Sequence, residues 1–281
     1  MLKQRIITAL VLVAFLLPAL AAPRVWPFAV LTLLLIGAAG WEWARLNGVT
    51  GGAAVALGGL LAALCAAALV GGLADEPPPS AIWWGAMLVW VLGGALVLRG
   101  GPEAWPRVAQ ALRLAIGLAL LWTAWLALTT AKTIGINFIL STFCLVWAAD
   151  IAAYFGGRAF GKRKLAPGIS PGKSWEGVWS GMLGALALAA FWLWLDTMFK
   201  MDSLSLYLRL HARFGTIGLI GVVVFLCAVS VVGDLFESLV KRSAGAKDSS
   251  ALLPGHGGVL DRVDALLPVF PIAMALVTVG R

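Results

Sequence analysis

Charged residues are scarce in this chain, and their scarcity argues against a soluble fold. Asp, Glu, Lys and Arg make up 12% of the 281 residues, whereas 61% are hydrophobic. Soluble domains carry roughly 25% charged residues, and a soluble fold of this length has too little interior to bury so much apolar surface. The apolar residues also form long runs separated by short polar segments, which is typical of a protein with several transmembrane helices.

Cysteine is scarce as well. Cys65, Cys144 and Cys227 lie far apart within apolar runs, so we predict small buried hydrophobic residues rather than a disulfide or metal framework. The net charge of +8 could suit a nucleic-acid partner. However, the basic residues lie between the apolar runs, where membrane topology alone explains them. We therefore expect no nucleic-acid partner.

The apolar runs predict an all-α, polytopic transmembrane protein with about nine spans. The first run follows Lys3 and Arg5 and ends near Ala19-Leu20-Ala21, which resembles a signal-peptide cleavage site. The many later spans favour a retained first span instead. The predicted spans cover residues 6–22, 27–46, 52–73, 81–98, 110–130, 136–155, 177–195, 215–240 and 265–280.

Basic residues predict the orientation of these spans. If the N-terminus lies inside, the inner segments hold 15 of the 21 Lys and Arg residues, as the positive-inside rule requires. This orientation predicts a multi-pass protein of the cell's inner (cytoplasmic) membrane, with loops 156–176 and 241–264 both on the cytoplasmic side. We divide the chain into N-terminal transmembrane helices, 1–135, and a catalytic transmembrane half, 136–281. In the first half, Glu42 and Arg45 lie one turn apart, which predicts a local ion pair.

Carboxylates inside or beside the membrane are costly, so they are functional candidates. Asp150 lies in the sixth predicted span, Asp234 lies late in the eighth, and Asp261 and Asp264 begin the ninth. Asp261 and Asp264 could both reach a hard cation, and Mg²⁺ commonly uses one or two carboxylates with phosphate oxygens. An alternative interpretation is that these two are first-turn acids, stabilised by the helix dipole.

The two inner loops combine glycine and hydroxyl groups with positive charge. Gly257 and Gly258 precede a predicted helix start, a geometry that binds phosphate, and the adjacent His256 could orient a phosphate or donate a proton to a leaving group. In the other loop, Lys162 and Lys173 suit a polyphosphate or a lipid phosphate. A solvated basic loop would explain the same pattern.

Residues 238–264, SLVKRSAGAKDSSALLPGHGGVLDRVD, resemble the signature of the phosphatidate cytidylyltransferase (CDP-diacylglycerol synthase) family. Residues 150–177 resemble the family's other inner loop, through Tyr154, Gly157, Arg158, Gly161, Lys162, Pro167, Ser170, Pro171, Lys173, Glu176 and Gly177. Gly172 departs from the family, because it stands where a second lysine is expected. The chain therefore has one fewer cation for phosphate at that point.

The resemblance implies an enzyme that transfers a cytidylyl group from CTP to phosphatidic acid, giving CDP-diacylglycerol and pyrophosphate in phospholipid biosynthesis. It implies Mg²⁺ bound by Asp234 and Asp261, with Asp150 or Asp264 as further ligands, and it leaves open a second, monovalent cation. The expected catalytic residues are Asp234, Asp261, Lys241 and His256. The residues expected to bind substrate or phosphate are Arg158, Lys162, Ser170, Lys173, Ser238, Arg242, Lys247, Asp248, Gly257, Gly258 and Arg262.

The expected partners are therefore CTP, phosphatidic acid and the lipid bilayer, and a homodimer is left open. Two other functions remain alternatives. Another lipid-phosphate transferase is one, although the closely spaced aspartate quartet of CDP-alcohol phosphotransferases is absent. A cation- or proton-coupled transporter could use the same aspartates as a relay. However, the polar residues here concentrate in loops rather than at the bilayer midplane.

Overall fold

The chain folds into a bundle of apolar helices, in a computed structural model that describes residues 2–73 and 78–278. A π-helical segment, Val89–Gly93, and a 3₁₀ turn, Trp105–Arg107, lie between the α-helices. The helices are α1 (Leu2–Ala21), α2 (Trp26–Leu46), α3 (Gly51–Val70), α4 (Ser80–Leu88), α5 (Gly94–Gly100), α6 (Gln110–Ile134), α7 (Ile136–Phe160), α8 (Trp175–Met198), α9 (Leu206–Ser243), α10 (Leu260–Val263) and α11 (Leu266–Thr278).

The predicted all-α polytopic architecture is confirmed, but the count of nine spans is not. Within the described residues, 7 helices are both long and apolar enough to cross a membrane, with α4, the π-helical segment and α5 counted as one helix, Ser80–Gly100. The apolar part of α1, Ile6–Ala21, and the whole of α11 are shorter than the other spans. The last two residues of the predicted ninth span, 279 and 280, lie outside the described part of the chain.

Hydrogen bonds between distant segments mark two ends of the bundle. At one end, Thr8 of α1 donates a hydrogen bond to the carbonyl of Pro254, in the loop after α9, at 2.9 Å. At the other end, Lys132 of α6 donates to the carbonyl of Ala22, just after α1, at 3.1 Å. We call the first the site end, because the loops that follow α7 and α9 both lie there.

A β-hairpin at the site end departs from the all-α pattern. Strands β1 (Lys164–Ala166) and β2 (Ser170–Ser174) pair antiparallel, and Pro167 and Gly168 suit the turn between them. Ser174 then caps α8, because its Oγ accepts a hydrogen bond from the Gly177 N–H at 3.2 Å. The hairpin is therefore joined directly to the start of a spanning helix.

Small residues allow α7 and α8 to pack closely beneath the hairpin. A Cβ added to Gly156 would lie 1.9 Å from Ser180 Oγ, and one added to Gly181 would lie 2.9 Å from the Ala149 carbonyl oxygen. Small residues are the usual basis of close helix packing in membranes, where burial of apolar surface does not drive association. This packing sets α7, which carries Asp150, in a fixed position relative to the hairpin.

Candidate active site

Two lysine–aspartate ion pairs define the candidate site. Lys173 Nζ, on β2, lies 2.5 Å from Oδ2 of Asp234 in α9. Lys241 Nζ, also on α9, lies 2.6 Å from Oδ1 of Asp261 in α10. Asp234 and Lys241 are two helical turns apart, so both pairs lie along one face of α9. The structure thus places both predicted metal carboxylates at the site end.

The Asp261 carboxylate organises the loop that precedes it. Its Oδ2 accepts hydrogen bonds from the backbone N–H of Ser249 at 2.9 Å, from Ser249 Oγ at 2.9 Å and from the Gly258 N–H at 2.7 Å. Burial acts to raise the pKa of Asp261, but hydrogen bonds from Lys241, Gly258 and Ser249 outweigh it and lower the pKa below its usual value. Asp261 is therefore ionised at neutral pH.

Lys241 is buried between two acids. Its side chain forms ion pairs with Asp261 and with Glu237, one turn earlier on α9, and only 8% of the residue is exposed. A buried ammonium group is tolerated only with such partners. Glu237 and Asp261 together hold Lys241 Nζ in one position within the site.

Two further predicted carboxylates surround Asp234. Asp150 of α7 and Asp264, just after α10, each lie close enough to Asp234 for their like charges to interact, and both also interact with Lys173. Burial, and after it the charge of Asp234, raise the pKa of Asp264 to about 7. Asp150 and Asp264 therefore add negative charge near the Lys173–Asp234 pair, which favours the binding of an additional cation.

The carboxylate oxygens of the site suit a hard divalent cation. Among the described residues, no group of three His, Cys, Asp or Glu side chains is arranged to hold a metal ion by itself. Mg²⁺ does not require such a group, because phosphate oxygens and water commonly complete its shell. The ammonium groups of Lys173 and Lys241 already place positive charge against Asp234 and Asp261. The residues therefore fit a cation that arrives with a substrate phosphate.

Arg242 connects the two loops of the site. Its Nε donates to the carbonyl of Ile169 in the hairpin turn at 3.3 Å, and its Nη1 donates to the carbonyl of Ala246 at 3.1 Å. Nearby, Ser238 Oγ donates to Asp234 Oδ1 at a long 3.4 Å. The two loops predicted to share a face are therefore in direct contact.

His256 and Arg262 lie at the edge of this loop. Arg262 Nε donates to the His256 carbonyl at 2.9 Å. The His256 Nδ1 is buried and has no hydrogen-bond partner in the described part of the chain. The predicted role of the imidazole in catalysis remains a prediction.

The other predicted binding residues lie towards the surface around the site. Arg158 donates to the hydroxyl of Tyr154 at 3.3 Å, and Ser170 is half-buried at the start of β2. Lys162, Lys247 and Asp248 are exposed at the ends of the two loops. Their predicted contacts with substrates remain predictions.

Glu42 is a site residue that the sequence reasoning missed. It is fully buried, at 0% exposure, in α2 of the N-terminal half. Its Oε1 accepts hydrogen bonds from Ser250 Oγ at 2.6 Å and from the Val259 N–H at 2.9 Å, and its Oε2 accepts from the Leu260 N–H at 2.8 Å and from Ser249 Oγ at 3.2 Å. Glu42 therefore holds both ends of the loop that contains the predicted signature.

The predicted ion pair between Glu42 and Arg45 is wrong. Arg45 instead places its guanidinium 4.8 Å from the centre of the Trp41 ring. The sequence contained a signal for Glu42, since an acid within an apolar helix is a functional candidate by the rule that selected Asp234. The nearby Arg45 concealed that signal, because it offered a local partner.

Gly257 and Gly258 shape the start of α10. Gly257 has a φ of +81°, which favours glycine, and a Cβ on Gly258 would lie 2.2 Å from Glu42 Oε1. The N–H groups at this helix start donate to Glu42 and Asp261. Protein carboxylates thus occupy the position that the sequence predicted for a phosphate.

Comparison with known proteins finds a relative and a family model that match nearly the whole of this chain. A Pseudomonas aeruginosa protein named phosphatidate cytidylyltransferase is 40% identical over 285 aligned positions, covering 98% of this chain and 97% of that protein. Proteins of the same name from Haemophilus influenzae and Bacillus subtilis are 50% and 39% identical over 137 positions, which cover 49% of this chain and 44% and 46% of theirs. Residues 3–279 match the model of the cytidylyltransferase family. The predicted relationship is confirmed: this chain belongs to the cytidylyltransferase family.

Proposed function

We propose that this protein transfers the cytidylyl group of CTP to phosphatidic acid, forming CDP-diacylglycerol and pyrophosphate, and that the reaction requires Mg²⁺. Family membership over nearly the whole chain supports the reaction. The structural observation that carries the proposal is the presence of two ion pairs, Lys173–Asp234 and Lys241–Asp261, at one end of the bundle of transmembrane helices.

The reaction makes specific demands on the protein. A phosphate oxygen of the lipid attacks the α-phosphorus of CTP, the bond between the α-phosphorus and the bridging oxygen breaks, and pyrophosphate leaves with the electron pair. Transfers of this kind need little covalent help from the protein. They depend on positioning and on neutralising the phosphate charge.

Lys173 and Lys241 suit both demands. In the structure, each lysine neutralises one aspartate. When Asp234 and Asp261 bind a divalent cation, the two ammonium groups can turn towards phosphate oxygens, which are strong acceptors for charged donors. Glu237 would keep Lys241 close to its position during this exchange, because it holds the same Nζ.

The Mg²⁺ ion would be held by Asp234 and Asp261, with Asp150 and Asp264 beside them. When bound, it supplies positive charge that polarises the phosphoryl group and stabilises the leaving pyrophosphate. We further propose that the protein lies in the inner membrane and that its site end faces the cytoplasm. The concentration of Lys and Arg in the loops at that end supports this orientation.

The assignment can be tested with purified protein in lipid nanodiscs. We expect pyrophosphate release when CTP, phosphatidic acid and Mg²⁺ are all present, and no release when any one is omitted. Chelation with EDTA should stop the reaction and added Mg²⁺ should restore it. A flat trace with all components would remove the enzyme assignment, and release that resists chelation would remove the Mg²⁺ requirement alone.

A further inference from the structure

An apolar cavity lies directly behind the loop that carries Asp261. It has a volume of about 290 Å³ and opens between α1, α2, α6, α7 and α11, with walls that include Leu35, Leu128 and Phe270. Ligand pockets commonly measure about 300–1,000 Å³, so this cavity is near the lower end. Its size suits one flexible apolar chain rather than a whole lipid molecule.

Two helices carry both a residue of the cavity wall and a carboxylate of the acidic centre. On α10, Val263 lines the cavity, while the next residue, Asp264, interacts with Asp234. On α7, Trp147 lines the cavity, while Asp150, about one turn later, also interacts with Asp234. The wall of the cavity therefore lies within one helical turn of Asp150 and Asp264 along the chain.

A positive charge lies in the same wall. Arg262 is the charged residue of the lining, and its Nε is anchored to the His256 carbonyl. That bond uses one of the five N–H donors of a guanidinium group. Guanidinium groups bind phosphate oxygens well, because several donors lie in one plane.

We propose that this cavity binds one acyl chain of phosphatidic acid, with Arg262 at the end where the lipid phosphate meets the acidic centre. This inference rests on the proposed function, since it takes the substrate to be that lipid.

A second apolar groove provides a contrast. It lies between α3 and α6, is lined by Leu64 and Ala119 and includes no residue of the site loops.

The first experiment compares two tryptophan substitutions on α6. Leu128→Trp fills the cavity, so we expect KM for dipalmitoyl phosphatidic acid to rise roughly tenfold with kcat retained, because burial of several chain methylenes is lost. The rise should be much smaller for the dioctanoyl lipid, which has less chain to bury. Ala119→Trp, in the second groove, should behave as wild type. Wild-type KM values for Leu128→Trp at both chain lengths would mean that only bulk lipid occupies the cavity, and would overturn the inference.

A second experiment does not depend on turnover or on any variant. Phosphatidic acid with a diazirine in the middle of one chain is photolysed with the wild-type protein, and the labelled peptides are mapped. We expect label on the peptides that contain Leu128 and Phe270, reduced by unlabelled phosphatidic acid but not by phosphatidylcholine. Label spread over the lipid-facing helices without competition would overturn the cavity assignment. An inactive wild type that still shows competed label at these residues would overturn the proposed reaction alone.

Discussion

At the scale of single residues, Glu42 shows how one buried carboxylate can organise a distant loop. Its partners lie 207 to 218 residues later in the chain, and they include two backbone N–H groups at the start of α10. Each buried donor that loses its acceptor costs about 1–3 kcal/mol. We therefore predict that Glu42 is a positioning residue, which acts through the loop that surrounds Asp261.

Replacing Glu42 with glutamine tests this role. Glutamine keeps the shape of the side chain, but its NH₂ group replaces an oxygen that accepts hydrogen bonds from the loop. We therefore expect a loss of about 2 kcal/mol in stability and a clear fall in kcat. Thermal unfolding in detergent and pyrophosphate release would measure the two effects. Glu103→Gln, the same change at an exposed loop position, should leave both unchanged. Wild-type behaviour of Glu42→Gln would contradict the positioning role.

Replacing Asp234 with asparagine tests the acidic centre. We expect turnover to fall about a thousandfold or more, because the proposed metal ligand and the partner of Lys173 are both lost. Thermal stability should change little, since Asp234 is only partly buried. His211→Ala serves as the control, because His211 lies on the segment of α9 before its kink at Gly215, and its rate should stay within a few-fold of wild type. Near-normal activity of Asp234→Asn would remove this residue from the metal site.

Sequence reasoning singled out Asp234, Asp261, Lys173 and Lys241, because charge beside a membrane is costly and the signature spacing is long and specific, and the structure joins the four in two ion pairs. It could not locate the partners of Glu42. Hydrogen bonds across more than 200 residues leave no periodic pattern in one chain, whereas a basic residue one turn away does. The same limit applies to Asp261, whose three backbone and hydroxyl donors depend on a loop fold that a Gly- and Ser-rich segment does not reveal.

At the scale of elements, α9 is the helix around which the site is built. It carries Asp234, Glu237 and Lys241, and it packs against the segment that follows α10. The closest approach is at Gly233, where an added Cβ would lie 2.5 Å from the backbone oxygen of Asp264 and 2.8 Å from Pro268. The distance between the Asp234 and Asp264 carboxylates therefore depends on this glycine.

Gly233→Ala should separate the two elements. We expect a loss of about 1–3 kcal/mol in stability from overpacking against rigid backbone, together with a strong fall in activity. Gly221→Ala, on the same helix with no atom within 4 Å of the added Cβ, should be neutral or slightly stabilising. Unfolding midpoints and kcat, measured for both variants, would test whether the close approach at Gly233 matters. Equal values for the two would show that the close approach does not constrain the site.

The elements themselves were largely predictable. Long apolar runs gave the helices within a few residues, and the eighth predicted span began at Gly215, where α9 has a kink with a φ of 67°. The β-hairpin was not predicted, because its strands are short, rich in Gly, Pro and Lys, and lack alternating hydrophobicity.

At the scale of the whole molecule, the candidate site does not belong to the catalytic half alone. Residues of the N-terminal membrane region also contact it. Phe236, beside Glu237 on α9, packs against Trp43, Trp90 and Trp105, with ring centres 5.5 to 5.9 Å apart. All three tryptophans come from the first 135 residues. Together with Glu42, they show that the N-terminal helices support the site directly.

The orientation of the bundle gives a prediction for the whole protein. Lys164 lies exposed in the hairpin at the site end, and Lys200 lies exposed just beyond α8, at the opposite end. In a background with the three native cysteines replaced by alanine, we introduce Lys164→Cys or Lys200→Cys and treat intact cells with a membrane-impermeant maleimide. A cytoplasmic site end predicts labelling of Lys200→Cys alone, and labelling of both after the membrane is permeabilised. Labelling of Lys164→Cys alone in intact cells would reverse the topology, and a site facing away from cytoplasmic CTP could not perform the proposed reaction.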